Sequence, residues 1–158
     1  MKALLTGLVG LALTSTAAMA ASGQTTINGS GTYTDGRVFT VSARISPTGE
    51  VSGQATLINR NFTGDNGHSP YISHIAITCA FKAEDGVFYF GGFPTHTNDS
   101  VLDDAAFFAV RDGAITPVAF WDDIPGRTGD PSTCSGFLPD ENAGGFQELT
   151  KGDFRIKE

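Results

Sequence analysis

The sequence predicts an all-β protein: a single-domain, antiparallel up-and-down β-barrel of about eight strands, with a β-sandwich as the alternative. Three observations predict this class. Apolar and polar residues alternate with a period of two in several segments, turn residues separate these segments at short intervals, and no convincing amphipathic helix is visible. Consecutive antiparallel strands with one polar face bury the other face by closing into a barrel or by packing as two layers.

The sequence pattern between about residues 30 and 58 predicts three strands joined by tight turns. A strand around residues 30–34 leads through Asp35-Gly36 into RVFTVSARI, and the turn Ser46-Pro47-Thr48-Gly49 leads from there into EVSGQATLI. The apolar faces of the second and third strands are predicted to be Phe39, Val41, Ala43, Ile45 and Val51, Gly53, Ala55, Leu57. Their other faces carry Thr40, Ser42, Arg44, Gln54 and Thr56, which is not the apolar outer band of a membrane barrel.

The second part predicts further strands at 71–81, in VFYFGG, AAFFAVR and ITPVAFW, and at 152–157. Alternation through 71–81 places Ile75, Ile77, Cys79 and Phe81 on one face, so Cys79 is expected on the core side or at its rim. The segment from Asp122 to Lys151 shows no clear period. It forms either short elements or a functional Ω-type loop held by Cys134.

The first 20 residues predict a secretory signal peptide. Lys2 precedes an apolar run from Ala3 to Leu13, and the small-residue pattern Ala18-Met19-Ala20 predicts cleavage after Ala20. The run is about half as long as the roughly 20 apolar residues of a membrane-spanning helix. We therefore expect residues 21–158 to form one periplasmic or secreted domain without membrane insertion.

The net charge excludes some partners. The sequence has 10 basic and 17 acidic side chains, and loss of Lys2 with the signal peptide leaves nine basic ones and a net charge of −8. Binding of nucleic acid or of anionic membrane surfaces needs clustered Lys and Arg, so neither is expected. The charge is compatible with a basic protein partner.

The two cysteines, Cys79 and Cys134, predict one disulfide, because export takes the chain to an oxidising compartment. The pair is separated by 55 positions. On the chain-entropy model such a bridge stabilises the fold by roughly 4 kcal/mol. A catalytic thiol needs a base and electropositive surroundings, whereas Cys79 stands between Thr78 and Ala80.

The order of short motifs resembles a family of small exported bacterial proteins, largely uncharacterised, that are regarded as β-barrels. The pieces that carry the resemblance through most of the mature chain are FTVSA at 39–43, GEVSGQ at 49–54, HIAITC at 74–79, YFGG at 89–92, FFAVRDG at 107–113 and GDFRI at 152–156. After the fifth piece, where that family usually has a D-x-I-S-like strand, this chain reads PVAFWDDIPG. The resemblance implies the barrel fold and no activity or ligand.

The sequence predicts no cofactor and no metal site. The spacing of His68, His74 and His96 matches no zinc or copper motif. The Asn and Asp residues around 65–66 and 98–104 lack the spacing of a calcium loop and are typical of turns. His68 and His96 are expected in polar loops.

No catalytic motif is present, and the interpretation leans against an enzyme. The sequence contains no G-x-S-x-G, no H-E-x-x-H and no phosphate-binding glycine loop. His74 as a base with Ser73 or Asp99, and an acid/base pair of Asp122 and Asp123, are the combinations that an enzyme would use. Neither is supported by a pattern.

The leading hypothesis is a non-enzymatic binding module that contacts an unknown protein or small ligand through the loops 61–70, 94–103 and 122–145. Its candidate binding residues are His68, His96, Asn98, Asp99, Trp121 and Asp122. One alternative is an inhibitor of a basic exported enzyme such as lysozyme, because GSGTY at 29–33 is similar to a loop of periplasmic lysozyme inhibitors. Another is a barrel enzyme or small-ligand carrier, with a cavity lined by Phe88, Phe90, Phe107, Phe120 and Trp121, although a packed interior is expected.

Overall fold

The computed structural model describes residues 23–63, 67, 69–99, 105–116, 119–120, 130, 132–134, 146 and 149–158. The regular elements formed by these residues are all strands. They are β1 (Thr25–Tyr33), β2 (Val38–Ile45), β3 (Val51–Asn59), β4 (Tyr71–Lys82), β5 (Phe88–Thr97), β6 (Ala106–Arg111), β7 (Ala114–Ile115), β8 (Ala119–Phe120) and β9 (Leu149–Lys157). Over the same residues, no helix exists that could cross a membrane. The predicted signal peptide lies outside the described residues.

All of these strands belong to one antiparallel sheet. Strands β1 to β7 lie side by side in chain order, β9 returns to pair with β1, and β8 pairs with β6. The two ends of this order approach each other, because the Gly113 N–H donates a 2.9 Å hydrogen bond to the Phe154 carbonyl and the Ile156 N–H donates to the Asp112 carboxylate at 2.8 Å. The sheet is therefore a nearly closed up-and-down barrel, as the sequence predicts.

The alternation in β2 and β3 places the predicted residues in the core. Phe39, Val41 and Ala43 are buried on β2, and Ala55 and Leu57 are buried on β3. The turns before and after β2 use glycine where the backbone needs a positive φ, which is 87° at both Gly36 and Gly49. The strands are longer than predicted at three places: β1 begins at Thr25, β5 continues to Thr97 and β9 begins at Leu149.

Side chains fill the barrel interior. The Phe108 ring lies edge-on to Phe39 and stacked on Phe90, with ring centroids 5.0 and 5.1 Å apart. The buried Tyr33 hydroxyl donates a 2.7 Å hydrogen bond to the Thr116 carbonyl, and burial raises the Tyr33 pKa well above its ordinary range. These contacts agree with the expected packed interior.

Phe154 of β9 packs where β1 has no side chains. A β-carbon added at Gly31 would lie 2.8 Å from the Leu149 side chain and 2.9 Å from the Phe154 ring, which is too close for a real contact. Phe154 is itself fully buried. The glycines of β1 therefore make room for a ring from the neighbouring strand, which joins β9 to the core.

A β-bulge in β4 overturns one expectation from the sequence. The register between β4 and β5 shifts between Ile77 and Cys79, so that Ile77 pairs with Gly92 and Cys79 with Gly91. The extra residue reverses the alternation. Phe81, predicted to point into the core, instead stacks on Tyr89 outside the barrel, with ring centroids 5.0 Å apart.

A second apolar cluster covers this part of the outer wall, and we call it the outer cluster. It consists of Val87, Tyr89, Phe107 and Ala109, with Phe81, Ala83 and Phe146 packed against them. Phe107 lies between Ala106 and Phe108, which belong to the interior core, so alternation along β6 places the outer cluster on the opposite face.

Candidate functional site

Three of the six predicted binding residues, His68, Trp121 and Asp122, lie outside the described residues. The other three, His96, Asn98 and Asp99, lie at or just beyond the end of β5. The structure gives each of these three a different role. Of the predicted loops, 94–103 is partly wrong, because its first four residues are the end of β5.

Asn98 holds the segment before β4 against the end of β5. Its side-chain oxygen accepts a 2.7 Å hydrogen bond from the Ile72 N–H, and its amide nitrogen donates a 2.7 Å hydrogen bond to the Pro70 carbonyl. Its backbone N–H also donates to the Ile72 carbonyl at 3.2 Å. Because both ends of its amide are occupied by the backbone, Asn98 acts here as a structural clamp.

Asp99 is buried, with 2 % of its surface exposed. Its backbone N–H and carbonyl both bond the Thr97 hydroxyl, at 3.2 and 3.1 Å. Thr97 pairs in register with Ser73, which is fully buried and points into the barrel. Asp99 therefore does not present an exposed carboxylate to a ligand, unlike the expectation for a loop residue.

His96 belongs to β5, so the prediction that it lies in a polar loop is wrong. It pairs directly with His74 of β4, and the two exposed imidazole rings are tilted by 37° with centroids 5.9 Å apart. The Thr56 hydroxyl of β3 lies 3.2 Å from His74 Nδ1. The three side chains thus form one row across neighbouring strands on the outside of the barrel.

A second row lies beside the first. Gln54 of β3 pairs with Ala76 of β4, which pairs with Phe93 of β5. Gln54 is exposed, and Phe93 exposes 40 % of its surface. We call the two rows together the histidine face: Gln54, Thr56, His74, Ala76, Phe93 and His96.

Alternation along β4 argues against one catalytic combination. Ser73 and His74 are neighbours in the strand and point to opposite faces, since Ser73 is buried inside and His74 is exposed outside. A base must lie within hydrogen-bond reach of the nucleophile that it activates. Ser73 and His74 therefore cannot act together in this conformation.

None of the described residues with a shifted pKa belongs to the histidine face. A hydrogen bond from Arg37 lowers the pKa of Asp35, and hydrogen bonds from Ser132 lower the pKa of Asp130. The bond to Asp153 raises the pKa of Arg155. Within the described residues there is also no group of three or more His, Cys, Asp or Glu side chains that could hold a metal ion.

The predicted cysteine pair is present at disulfide distance. The sulfur atoms of Cys79 and Cys134 are 1.96 Å apart. Because of the bulge, Cys79 shares the face of Phe81, so the bridge lies on the outer wall and not on the core side. Phe146, which like Cys134 lies between β8 and β9 in the chain, packs against the outer cluster.

Comparisons of the chain with protein-family models, with curated proteins and with solved structures give no match. The segment GSGTY, which motivates the inhibitor hypothesis, occupies the second half of β1. The segment is strand and not loop, and its residues Gly31 and Tyr33 are buried. Ser30 and Thr32, which alternate with these residues, face outward from a paired strand.

Two features of the site are missing from the sequence-based prediction. The sequence pattern does not mark Phe93 as a site residue, and it does not place His74 beside His96. The pairing of His74 with His96 depends on a second bulge, which lies in β5. There, Pro94 pairs with Ile75, His96 pairs with His74, and Thr95 is the extra residue. Simple alternation through FPTHT therefore gives the wrong face for His96.

Proposed function

We propose that the chain is an exported, non-enzymatic binding module that takes its ligand on the histidine face. Export is supported by the signal-like N-terminal sequence and by the disulfide, which is typical of proteins in oxidising compartments. The resemblance to small exported bacterial barrels supports the same location. We propose membership in that family, from which no ligand or activity follows.

The observation that carries the proposal is the composition of the histidine face. A single exposed aromatic residue is ordinary on a protein surface. Here an exposed Phe93 stands next to two exposed imidazoles and to the amide of Gln54. Binding sites characteristically combine an aromatic ring with a few polar groups on a rigid scaffold, and these residues lie on paired strands, where little ordering is needed on binding.

Two alternatives have less support. A small-ligand carrier needs an empty interior, whereas Phe39, Phe90 and Phe108 pack ring against ring there. Binding through the loops alone is weakened because Asn98 bonds the backbone and Asp99 is buried. Both observations favour a ligand on the outer surface of the strands.

Site-specific photo-crosslinking in the living export compartment tests the proposal. We would place a photoreactive amino acid at Gln54 on the histidine face, and at Ser30 on the outer face of β1 as the control position. The expected result is a crosslinked adduct from position 54 and none from position 30, read by intact mass.

The matched variants are Phe93→Ser and Phe62→Ser. Phe62 is 41 % exposed, nearly the same as Phe93, but its ring lies edge-on to the buried Tyr71, which is not part of the histidine face. The adduct should be lost with Phe93→Ser and kept with Phe62→Ser. Equal adducts from both crosslinking positions, or an adduct that does not depend on Phe93, would contradict the proposal.

A further inference from the structure

We propose that His74 and His96 together bind a divalent transition-metal ion on the histidine face. The inference deepens the proposed function, on which it rests, by naming the chemical class of one ligand. It departs from the sequence-based expectation of no metal, which considered the spacing of the histidines along the chain. The pairing of β4 with β5 brings together two residues that are 22 positions apart.

The geometry of the pair fits two imidazoles on one ion. Residues directly opposite each other in antiparallel strands have β-carbons about 4.5–5.5 Å apart. With metal–nitrogen bonds of about 2.0–2.1 Å, two rings on the same ion have centroids roughly 5–6 Å apart. The observed centroid separation of 5.9 Å lies within this range, and both side chains are exposed.

Thr56 orients one of the two ligands. Its hydroxyl lies 3.2 Å from His74 Nδ1. When that nitrogen carries the proton and donates to the hydroxyl, the lone pair is on Nε2, the nitrogen available to a metal. A hydrogen bond to the second ring nitrogen is the usual companion of a metal-bound histidine, because it fixes the tautomer and the ring orientation.

Two protein ligands leave the remaining coordination positions to water or to donor atoms of a partner. The site is therefore expected to be exchangeable, unlike a structural site with four protein ligands. The acidic composition of the chain, with 17 Asp and Glu against 10 Lys and Arg, favours cations near its surface. Imidazole ligands and the general affinity order of divalent metals predict tighter binding of Cu²⁺ than of Ni²⁺ or Zn²⁺.

The test is titration of the purified mature protein with Cu²⁺, followed by calorimetry and by electron paramagnetic resonance. The expected result is one ion bound per chain, with a spectrum that shows nitrogen ligands. His74→Ala and His96→Ala should each weaken binding at least about tenfold, since each leaves a single imidazole. The double variant measures background binding by the N-terminal amine.

Thr56→Val tests the orienting hydroxyl, with Thr40→Val as its matched control. Thr40 pairs with Thr56 across β2 and β3, one strand further from the histidines. Thr56→Val should weaken Cu²⁺ binding several-fold without changing the number of nitrogen ligands, whereas Thr40→Val should leave it unchanged.

Two outcomes would overturn the inference. The first is Cu²⁺ binding of wild-type strength in the His74→Ala/His96→Ala double variant, including the case in which His68→Ala abolishes it. The second is the absence of any binding above the double-variant background. Position-dependent crosslinks at Gln54 that persist in either case would leave the proposed function standing without its metal, so the two proposals fail separately.

Discussion

The outer wall of β4 contains two regions that differ in chemistry and in cover. Before the bulge at Thr78, the outward residues His74 and Ala76 belong to the histidine face, which carries exposed polar groups. After the bulge, Cys79 and Phe81 face the same side of the barrel. Cys79 is bridged to Cys134, and Phe81 packs against the outer cluster. The outer face of β4 therefore contributes to an exposed surface at one end and to a second apolar cluster at the other.

The difference shows that the outer wall of the barrel has an exposed part and a buried apolar part. Strands β1 to β3 bury one face only, in the manner of ordinary antiparallel sheets. Strands β5 and β6 bury both faces from Phe88 to Phe90 and from Ala106 to Val110. On this second face, Cys134 is bridged to Cys79 and Phe146 packs against the outer cluster.

The largest expected effect contrasts two phenylalanines of the outer wall. Phe107 is 1 % exposed in the outer cluster, whereas Phe93 is 40 % exposed on the histidine face. Phe107→Ala should lower the free energy of unfolding by about 3–5 kcal/mol, and Phe93→Ala by no more than about 0.5 kcal/mol. Urea denaturation of both variants measures the contrast. Similar losses would mean that the two regions are not differently packed.

The next effect concerns the bridge between Cys79 and Cys134 on the outer wall. Replacing Cys79 and Cys134 together with alanine should lower the free energy of unfolding by about 2–4 kcal/mol, because the unfolded chain regains the freedom of a loop of 55 positions. In hydrogen exchange, the amides of the outer cluster should lose protection first. Uniform loss over the whole barrel, including Thr40 and Ser42 on the bare side, would show that the bridge does not act locally.

Alternation predicted the barrel well where each strand buries only one face. Phe39, Val41, Ala55 and Leu57 all point inward as expected, and glycine marks the turns at 36 and 49. The signal is strong there because a one-residue shift would expose a whole apolar face.

The same rule failed at the two bulges of the β4–β5 pair. A bulge adds a residue without changing composition, so the sequence IAITCAF reads as one uninterrupted alternation although its phase changes after Ile77. The buried second face adds to the difficulty, because Tyr89 and Phe107 are as apolar as the core residues beside them. The pairing of His74 with His96 depends on both strands and on a bulge, so no local pattern could reveal it.

A smaller effect is expected at the edge of the outer cluster. The guanidinium of Arg111 lies 4.1 Å from the centroid of the Phe146 ring, which packs against the cluster. Arg111→Ala should lower the free energy of unfolding by about 0.5–1 kcal/mol through loss of this cation–π contact. Arg44→Ala, at an exposed position of β2, is the control and should change it by less than about 0.5 kcal/mol. Equal losses of unfolding free energy in Arg111→Ala and Arg44→Ala would show that the contact with Phe146 does not stabilise the outer cluster.

The smallest effect belongs to the β1–β2 turn, where the Asp35 carboxylate accepts 2.7 Å hydrogen bonds from Arg37. These bonds hold the pKa of Asp35 below its ordinary value of 3.8. Because the folded-state pKa is the lower one, the stabilisation is present above the unfolded-state pKa and is lost as the pH falls through the folded-state value.

The pair is partly exposed to solvent, so Asp35→Asn should lower the free energy of unfolding by less than about 1 kcal/mol near pH 7. The difference from wild type should vanish once the pH is below the folded-state pKa of Asp35. Arg37→Met should reproduce the same pH-dependent loss, and the double variant should add little, because either change removes the interaction. A loss that persists at low pH would assign the effect to the turn itself, where the Asp35 side chain also accepts the Arg37 backbone N–H at 3.0 Å.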